Sequence, residues 1–140
     1  MERFLGRYST YIYALLRIVS GFLLLWHGTQ KFFNYPPAQM PPGSSPQPLS
    51  PLMAVAGTIE IVGGLMIMLG LFAGIAAFIA SGMLAVAYFM VHHSFGAFLP
   101  LQNRGELAVL YCFVFLYIAS RGSGPWSIDS LRGAGAVDRG

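Results

Sequence analysis

Four long apolar stretches fill most of this 140-residue chain and limit what it can fold into. They lie near residues 11–33, 52–72, 74–92 and 105–121. Because a hydrocarbon layer of ~30 Å takes about 20 helical residues to cross, each stretch fits or approaches the length of a membrane span. The composition agrees, since 9% of the residues are charged against ~25% in soluble domains. We therefore expect an all-α integral membrane protein, a four-helix bundle that forms one domain over residues 1–140.

The basic residues indicate how the bundle is oriented, because Lys and Arg in short flanks stay on the cytoplasmic side. Two arginines precede the first span, and three lie at the end of the fourth span or beyond it: Arg3, Arg7, Arg121, Arg132 and Arg139. We expect both termini in the cytoplasm, although Arg104 in the third loop departs from this bias. The net charge is +3 and the basic residues form no run with interleaved aromatics, so no nucleic-acid partner is expected.

The connections between the spans differ in length and composition. Residues 34–51 hold seven prolines and no charge, which favours an extended, partly stiff external loop. It is either a docking strip for an outside partner or a tolerated insertion. Residues 70–74 leave so little chain between the second and third spans that these must form an antiparallel hairpin. Residues 122–140 are expected to form a cytoplasmic tail.

Small residues recur within the second and third spans. Ala77, Ser81 and Ala85 follow one another at a four-residue spacing, and Gly57 and Gly64 lie in the second span. Small side chains let membrane helices approach closely. The pattern predicts a compact bundle and says little about chemistry.

Two ionisable residues lie inside the first two spans. Arg17 is about 9 Å below the cytoplasmic edge and Glu60 is about 13 Å from the outer edge, at 1.5 Å per residue. A bare carboxylate at that depth is costly, so Glu60 should be protonated or paired. We predict an Arg17–Glu60 contact. Either it sets the helix register only, or Glu60 binds a polar head group or carries a proton.

A second polar group is predicted near the outer face, where three loops or span ends meet. Its members are His27, Lys31, His92, His93, Asn103, Arg104 and Glu106. His27 and Lys31, four residues apart, share a helix face. The histidines lack the spacing of a metal motif, and the single cysteine excludes a thiolate cluster within one chain, so no metal is expected.

This polar group has two interpretations. It is a vestibule in which Lys31 and Arg104 attract a small anion or a quinone carbonyl while His92, His93 or Glu106 handle protons, or it is an interfacial belt without a ligand. Motifs of soluble enzymes are missing from the sequence, including the G-x-S-x-G elbow, the Walker loop and the Rossmann glycine pattern.

Longer segments of the chain resemble the DoxX family of small four-helix membrane proteins. They are "LLRIVSGFLLLWHGTQKFF" in span one, "GTIEIVGGLMIMLGLFAGIAA" across spans two and three, "HHSFGAFLPLQNRGELAVLYCFVFLYIA" into span four, and the tail "GSGPWSID". The resemblance places the protein in a bacterial plasma membrane. The family's pattern would include Arg17, Gly21, Gly28, Lys31, Glu60, Gly64, Asn103, Gly105, Glu106 and Asp129. One departure is Ala73, where the tight turn usually carries a basic residue.

The resemblance also implies a function, because relatives include the membrane subunit of an archaeal thiosulfate:quinone oxidoreductase. By that analogy the bundle would bind a quinone among Arg17, His27, Lys31 and Glu60, and a protein partner in a redox complex would deliver electrons. No haem, flavin or metal is expected in this chain, since it shows no motif for one. The alternative is a non-catalytic scaffold or a small-solute carrier, and a transport route in so short a chain would need homo-oligomers.

Overall fold

The computed structural model describes residues 1–40, 42–45, 48–92 and 99–133, with His92 described by its backbone alone. All regular secondary structure in these ranges is helical. The α-helices are α1 (Glu2–Leu5), α2 (Ser9–Phe33), α3 (Pro51–Thr58), α4 (Gly64–Leu69), α5 (Ala73–Ala87), α6 (Glu106–Arg121) and α7 (Ile128–Leu131). A 3₁₀ turn, Gly6–Tyr8, joins α1 to α2, and π-helical turns occupy Ile59–Gly63, between α3 and α4, and Tyr88–His92, after α5.

Three continuous helical segments are long and apolar enough to cross a membrane. They are Glu2–Phe33 with 32 residues, Pro51–Leu69 with 19 and Ala73–Val91 with 19. They confirm the first three predicted spans. Helix α6 has 16 residues, which is ~24 Å of helix and less than a hydrocarbon layer, so the fourth span stays a prediction.

The bundle buries polar residues and exposes apolar ones. Ser81, Glu60 and Arg17 are at most 5% exposed, whereas Phe78 and Phe113 on the outer faces of α5 and α6 are more than 60% exposed. A water-soluble bundle has the opposite arrangement. The exposed faces are therefore suited to lipid, which makes membrane lipid the first partner of this protein.

Helix α2 packs antiparallel against the continuous α3–α4 segment through glycines. A Cβ on Gly21 would lie 2.5 Å from the Met68 backbone nitrogen, and one on Gly28 would lie 2.8 Å from the Gly57 carbonyl oxygen. Gly64 meets Gly21 in the same way. The backbones touch at two levels, as the small-residue pattern predicted for Gly57 and Gly64.

Helices α5 and α6 form the other extensive helix pair. Ala77 and Ser81 are buried, and the Ser81 hydroxyl donates to the Cys112 carbonyl at 2.8 Å. The predicted small-residue stripe of α5 therefore faces α6. Ala85, the third member, is half-buried.

A three-residue turn joins α4 to α5 and confirms the predicted antiparallel hairpin. Gly70 has φ of 68° and Phe72 has φ of 47°, both left-handed, and only glycine adopts that region without cost. The Tyr11 and Trp126 rings lie 5.2 Å apart at the same end of the bundle as this turn, so the two ends of the chain meet there. We call this end of the bundle the terminal end. The opposite end, with Lys31 and Pro51, is the loop end.

Candidate functional site

A cavity of about 610 Å³ opens at the loop end of the bundle, between α2, α3, α5 and α6. Most of its wall is aliphatic, formed by residues such as Leu24 and Met83. Five polar or ionisable residues also line it: His27, Lys31, Glu60, Arg104 and Tyr111. Ligand pockets have volumes of ~300–1,000 Å³ and this balance of apolar wall and few polar groups.

An ion pair between α2 and the continuous α3–α4 segment lies at the centre of the cavity's polar wall. The Lys31 ammonium donates to both carboxylate oxygens of Glu60 at 2.5 Å. The Glu60 side chain is 6% exposed and the Lys31 side chain 25%. The carboxylate is thus paired, as its depth predicted, and the ammonium stays within reach of the cavity.

Glu60 lies in the π-helical turn Ile59–Gly63. A π turn inserts one extra residue into a helix and is frequent at functional sites. Gly57, Glu60 and Gly64 are all buried. Their spacing of three and four residues puts them on one helix face, and that face contacts α2. No sequence pattern considered above predicts this turn.

The predicted Arg17–Glu60 contact is wrong. Gly21 meets Gly64 and Gly28 meets Gly57, so Glu60 lies near the level of Leu25, and Arg17 is ~12 Å further along α2. Side chains on a helix also lean toward its N-terminus. In two antiparallel helices, that lean carries Arg17 and Glu60 apart and carries Lys31 and Glu60 together.

Arg17 instead binds backbone carbonyls at the terminal end. Its Nη1 donates to Ile67 and Met68 at 2.8 and 3.0 Å, and its Nη2 donates to Pro125 and Trp126 at 3.1 and 2.8 Å. The side chain is fully buried. The guanidinium binds carbonyls in the last turn of α4 and ties them to the segment after α6.

That segment, residues 122–131, forms a second cluster that the sequence analysis missed. The Asp129 carboxylate accepts from the Phe72 N–H at 2.7 Å and from the Ser123 hydroxyl at 2.6 Å. The Ser123 hydroxyl in turn accepts from the Ala73 N–H at 3.3 Å. These groups cap the start of α5, so the beginning of the predicted tail packs against the hairpin. The resemblance singled out Asp129 without giving it this role.

His27 and Lys31 lie one helical turn apart on the cavity face of α2, as their spacing predicted. The His27 ring meets the Tyr111 ring of α6 edge-on, with centroids 6.5 Å apart. Tyr111 stacks on the buried Phe115 ring at 5.6 Å. This contact closes the bundle between α2 and α6 and places an imidazole and a phenol side by side.

Arg104 lies on the cavity wall in a left-handed backbone conformation with φ of 58°. Its neighbours hold that conformation. The Asn103 side chain accepts from the Gly105 N–H at 2.8 Å and donates to the Tyr88 hydroxyl at 3.2 Å, and a Cβ on Gly105 would lie 2.5 Å from the Tyr88 ring. Asn103, predicted to touch ligand, lies under the turn and positions Arg104.

The remaining predicted site residues lie elsewhere. Glu106 is the first residue of α6 and lines a groove on the outer face of that helix. A carboxylate there complements the helix dipole. His93 and the side chain of His92 lie outside the described residues. Among the residues that the structure describes, no group of three or more His, Cys, Asp or Glu is placed to hold a metal ion.

These features define an integral membrane protein whose helical bundle encloses a mainly apolar cavity with an ion pair in its wall. The family model described as DoxX matches residues 12–93, more than half of the chain. The protein therefore belongs to the DoxX family, as its motifs predicted.

A protein of Haemophilus influenzae, described as an uncharacterized protein, is 41% identical over 128 residues. The alignment covers 90% of this chain and 94% of the relative. No solved structure shows a significant match.

Proposed function

We propose that this protein binds a quinone head group in the loop-end cavity and serves a membrane redox complex as its quinone-interacting or accessory subunit. The observation that carries the proposal is the Lys31–Glu60 pair in the wall of an otherwise apolar cavity. A quinone ring is flat and apolar, with two carbonyl oxygens that accept hydrogen bonds. The Lys31 ammonium and the Arg104 guanidinium are donors suited to those oxygens.

Reduction of a quinone to a quinol consumes two electrons and two protons. The chain's motifs supply no electron carrier, so a redox protein partner would deliver the electrons. This chain itself has groups that could supply the protons, because His27, Tyr111 and the Lys31–Glu60 pair all line the cavity. His27 and Glu60 are the groups we propose for proton handling, with Lys31 holding the carboxylate in place.

The proposed topology has four spans, with α6 as the fourth, and both termini in the cytoplasm of a bacterial cell. The exposed apolar face of α6, which includes Leu110, Phe113 and Leu116, supports its contact with lipid. At ~24 Å, α6 would need the bilayer to thin or its flanks to extend it, which costs fractions of a kcal/mol per Å.

Binding of a quinone without a tail, 2,3-dimethoxy-5-methyl-1,4-benzoquinone, to the protein in lipid nanodiscs tests the proposal by calorimetry. The cavity variant is Ala108→Phe, because Ala108 lines the cavity and a ring there intrudes into it. Its control is Val55→Phe, which adds a similar side chain at a position 59% exposed on the outer face of α3.

We expect saturable binding that A108F abolishes and V55F retains, with both variants as stable as the parent protein. Equal binding by A108F and the parent would place the quinone outside the cavity. If the parent shows no saturable binding, the proposal fails and a non-catalytic scaffold or solute carrier becomes the better interpretation.

A further inference from the structure

A groove lies on the outer face of α6 next to the cavity. Its lining is mainly apolar and includes Leu107, Leu110 and Phe113, which follow one another at three-residue intervals. From Leu107 to Phe113 the groove follows α6 for ~9 Å at 1.5 Å per residue. It therefore leads from the loop end toward the middle of the bundle.

The groove and the cavity meet at two side chains. Arg104 and Leu107 line both the cavity and the groove, so they lie at the boundary between the interior of the bundle and its lipid-facing surface. The left-handed conformation of Arg104, held by Asn103 and Gly105, keeps the guanidinium at this boundary. Within the described residues Arg104 forms no ion pair.

The cavity and the groove differ in polarity, so they suit different parts of a ligand. Donors and the ion pair line the cavity, whereas the described lining of the groove is apolar except for Arg104 and Glu106 at the loop end. The opposite charges of Arg104 and Glu106 offset one another, so this end of the groove has no net attraction for an anionic lipid head group. An uncharged hydrocarbon chain can pack along Leu107, Leu110 and Phe113.

We propose that the ligand of the cavity carries a long hydrocarbon chain, which passes Arg104 and lies in the α6 groove while the head group occupies the cavity. This inference rests on the proposed function and adds that the ligand comes from the membrane as a tailed quinone. Arg104 and Leu107 are then the residues that a tailed ligand passes on entry.

Photo-crosslinking of the full-length protein in nanodiscs tests the inference, with a benzoquinone that bears a diazirine at the end of a decyl tail. Trypsin cleaves after Arg104 and Arg121, so labels on α6 fall in the peptide 105–121. We expect labels within residues 107–113, and we expect an excess of the tailless quinone to suppress them by competing for the cavity.

Two tryptophan variants provide a matched pair. Leu110→Trp fills the groove, whereas Leu116→Trp adds the same ring to an exposed position on α6 outside the groove. L110W should lower the labelling of 107–113 about tenfold, because the indole ring occupies the space that the tail would fill. It should leave the affinity for the tailless quinone within about twofold, since Leu110 lines the groove and not the cavity. L116W should change neither quantity.

The outcomes separate the two proposals. Binding of the tailless quinone together with labels spread over the lipid-facing sides of other helices, or with labels that the tailless quinone does not suppress, overturns the tail groove alone. In that case ordinary bilayer lipid occupies the groove. No saturable binding of the tailless quinone overturns both the groove and the function on which it rests.

Discussion

Lys31 and Glu60 form an ion pair across two antiparallel helices, with the ammonium 2.5 Å from each carboxylate oxygen. Each side chain leans toward the N-terminus of its own helix, so the two approach each other from opposite ends of the same interface. The pair joins the first helix to the second at the cavity wall. It is at once a packing contact and the main polar feature of the candidate site.

Removal of one partner of this pair should destabilise the bundle. Glu60→Gln leaves the Lys31 ammonium half-buried without a counter-charge, at a cost of about 1–3 kcal/mol. The double variant Lys31→Gln with Glu60→Gln should recover most of that loss, because it leaves no unpaired charge. The free energy of unfolding in a mixed-detergent titration measures both. Glu2→Gln, at an exposed position in α1, is the control, and a double variant as unstable as E60Q would contradict the account.

Arg17 should be irreplaceable by lysine. Its two terminal nitrogens reach four carbonyls from two separate segments, and one ammonium lacks that planar geometry. Arg17→Lys should lower the free energy of unfolding by about 2–3 kcal/mol and expose residues 122–131 to protease. Limited proteolysis with mass spectrometry measures the second effect. Arg7→Lys, at an exposed position, should change neither, and an R17K variant that behaves like R7K refutes the role.

Glycine should be required where α2 meets α4. In Gly21→Ala the new Cβ would lie 2.5 Å from the Met68 nitrogen, so the helices must separate, and we expect a loss of about 1–3 kcal/mol. Gly82→Ala is the matched control, because a Cβ there meets no atom within 4 Å. Alanine is the better helix former, so G82A should stabilise the protein by up to ~1 kcal/mol. Thermal unfolding of both variants in detergent tests the contrast, which vanishes if the helices can separate freely.

Asp129 should protect the start of α5. Its carboxylate accepts the Phe72 N–H, and loss of such a cap costs about 0.5–2 kcal/mol. Asp129→Ala should therefore speed hydrogen exchange at the Phe72 amide, while amides in the middle of α5 keep their rates. Asp129→Asn retains a side-chain oxygen acceptor and should restore part of the protection. Unchanged exchange at Phe72 in D129A would show that the cap is dispensable.

Replacement of Arg104 should weaken quinone binding without lowering the stability of the protein. Glycine adopts a left-handed backbone at no cost, whereas a non-glycine residue there is strained by ~1 kcal/mol or more. Arg104→Gly should therefore raise the free energy of unfolding or leave it unchanged, and it should weaken quinone binding in the nanodisc assay. Arg104→Asn, which tolerates the same φ, should also weaken binding. If both variants bind quinone as the parent does, Arg104 has no part in the site.

Several features were predictable because they depend on local pattern. Long apolar runs predicted the three confirmed spans, the short connection near Gly70 predicted the hairpin, and the four-residue spacing predicted that His27 and Lys31 share the cavity face. Family motifs predicted the DoxX family. Each of these inferences uses residues close together in the chain.

The rest depended on contacts between distant parts of the chain. The depths of Arg17 and Glu60 suggested a pair, but depth alone omits the helix register and the lean of each side chain. The role of residues 122–131 was equally hidden. The family resemblance marked Asp129, but only the fold shows that Asp129 and Ser123 contact the start of α5. Tyr111 was missed since nothing near it in sequence marks a cavity.

The sequence by itself determined that this is a membrane protein of a known family, with ionisable groups inside its apolar helices. It predicted four spans, of which the structure confirms the first three. Hydrophobic length and residue spacing are enough for those conclusions, because they describe single helices. Only the tertiary structure decided which charges pair and which polar groups share a cavity. The glycine contacts at Gly21 and Gly28 set the register of α2 against the continuous α3–α4 segment. The register between two helices determines which of their side chains meet.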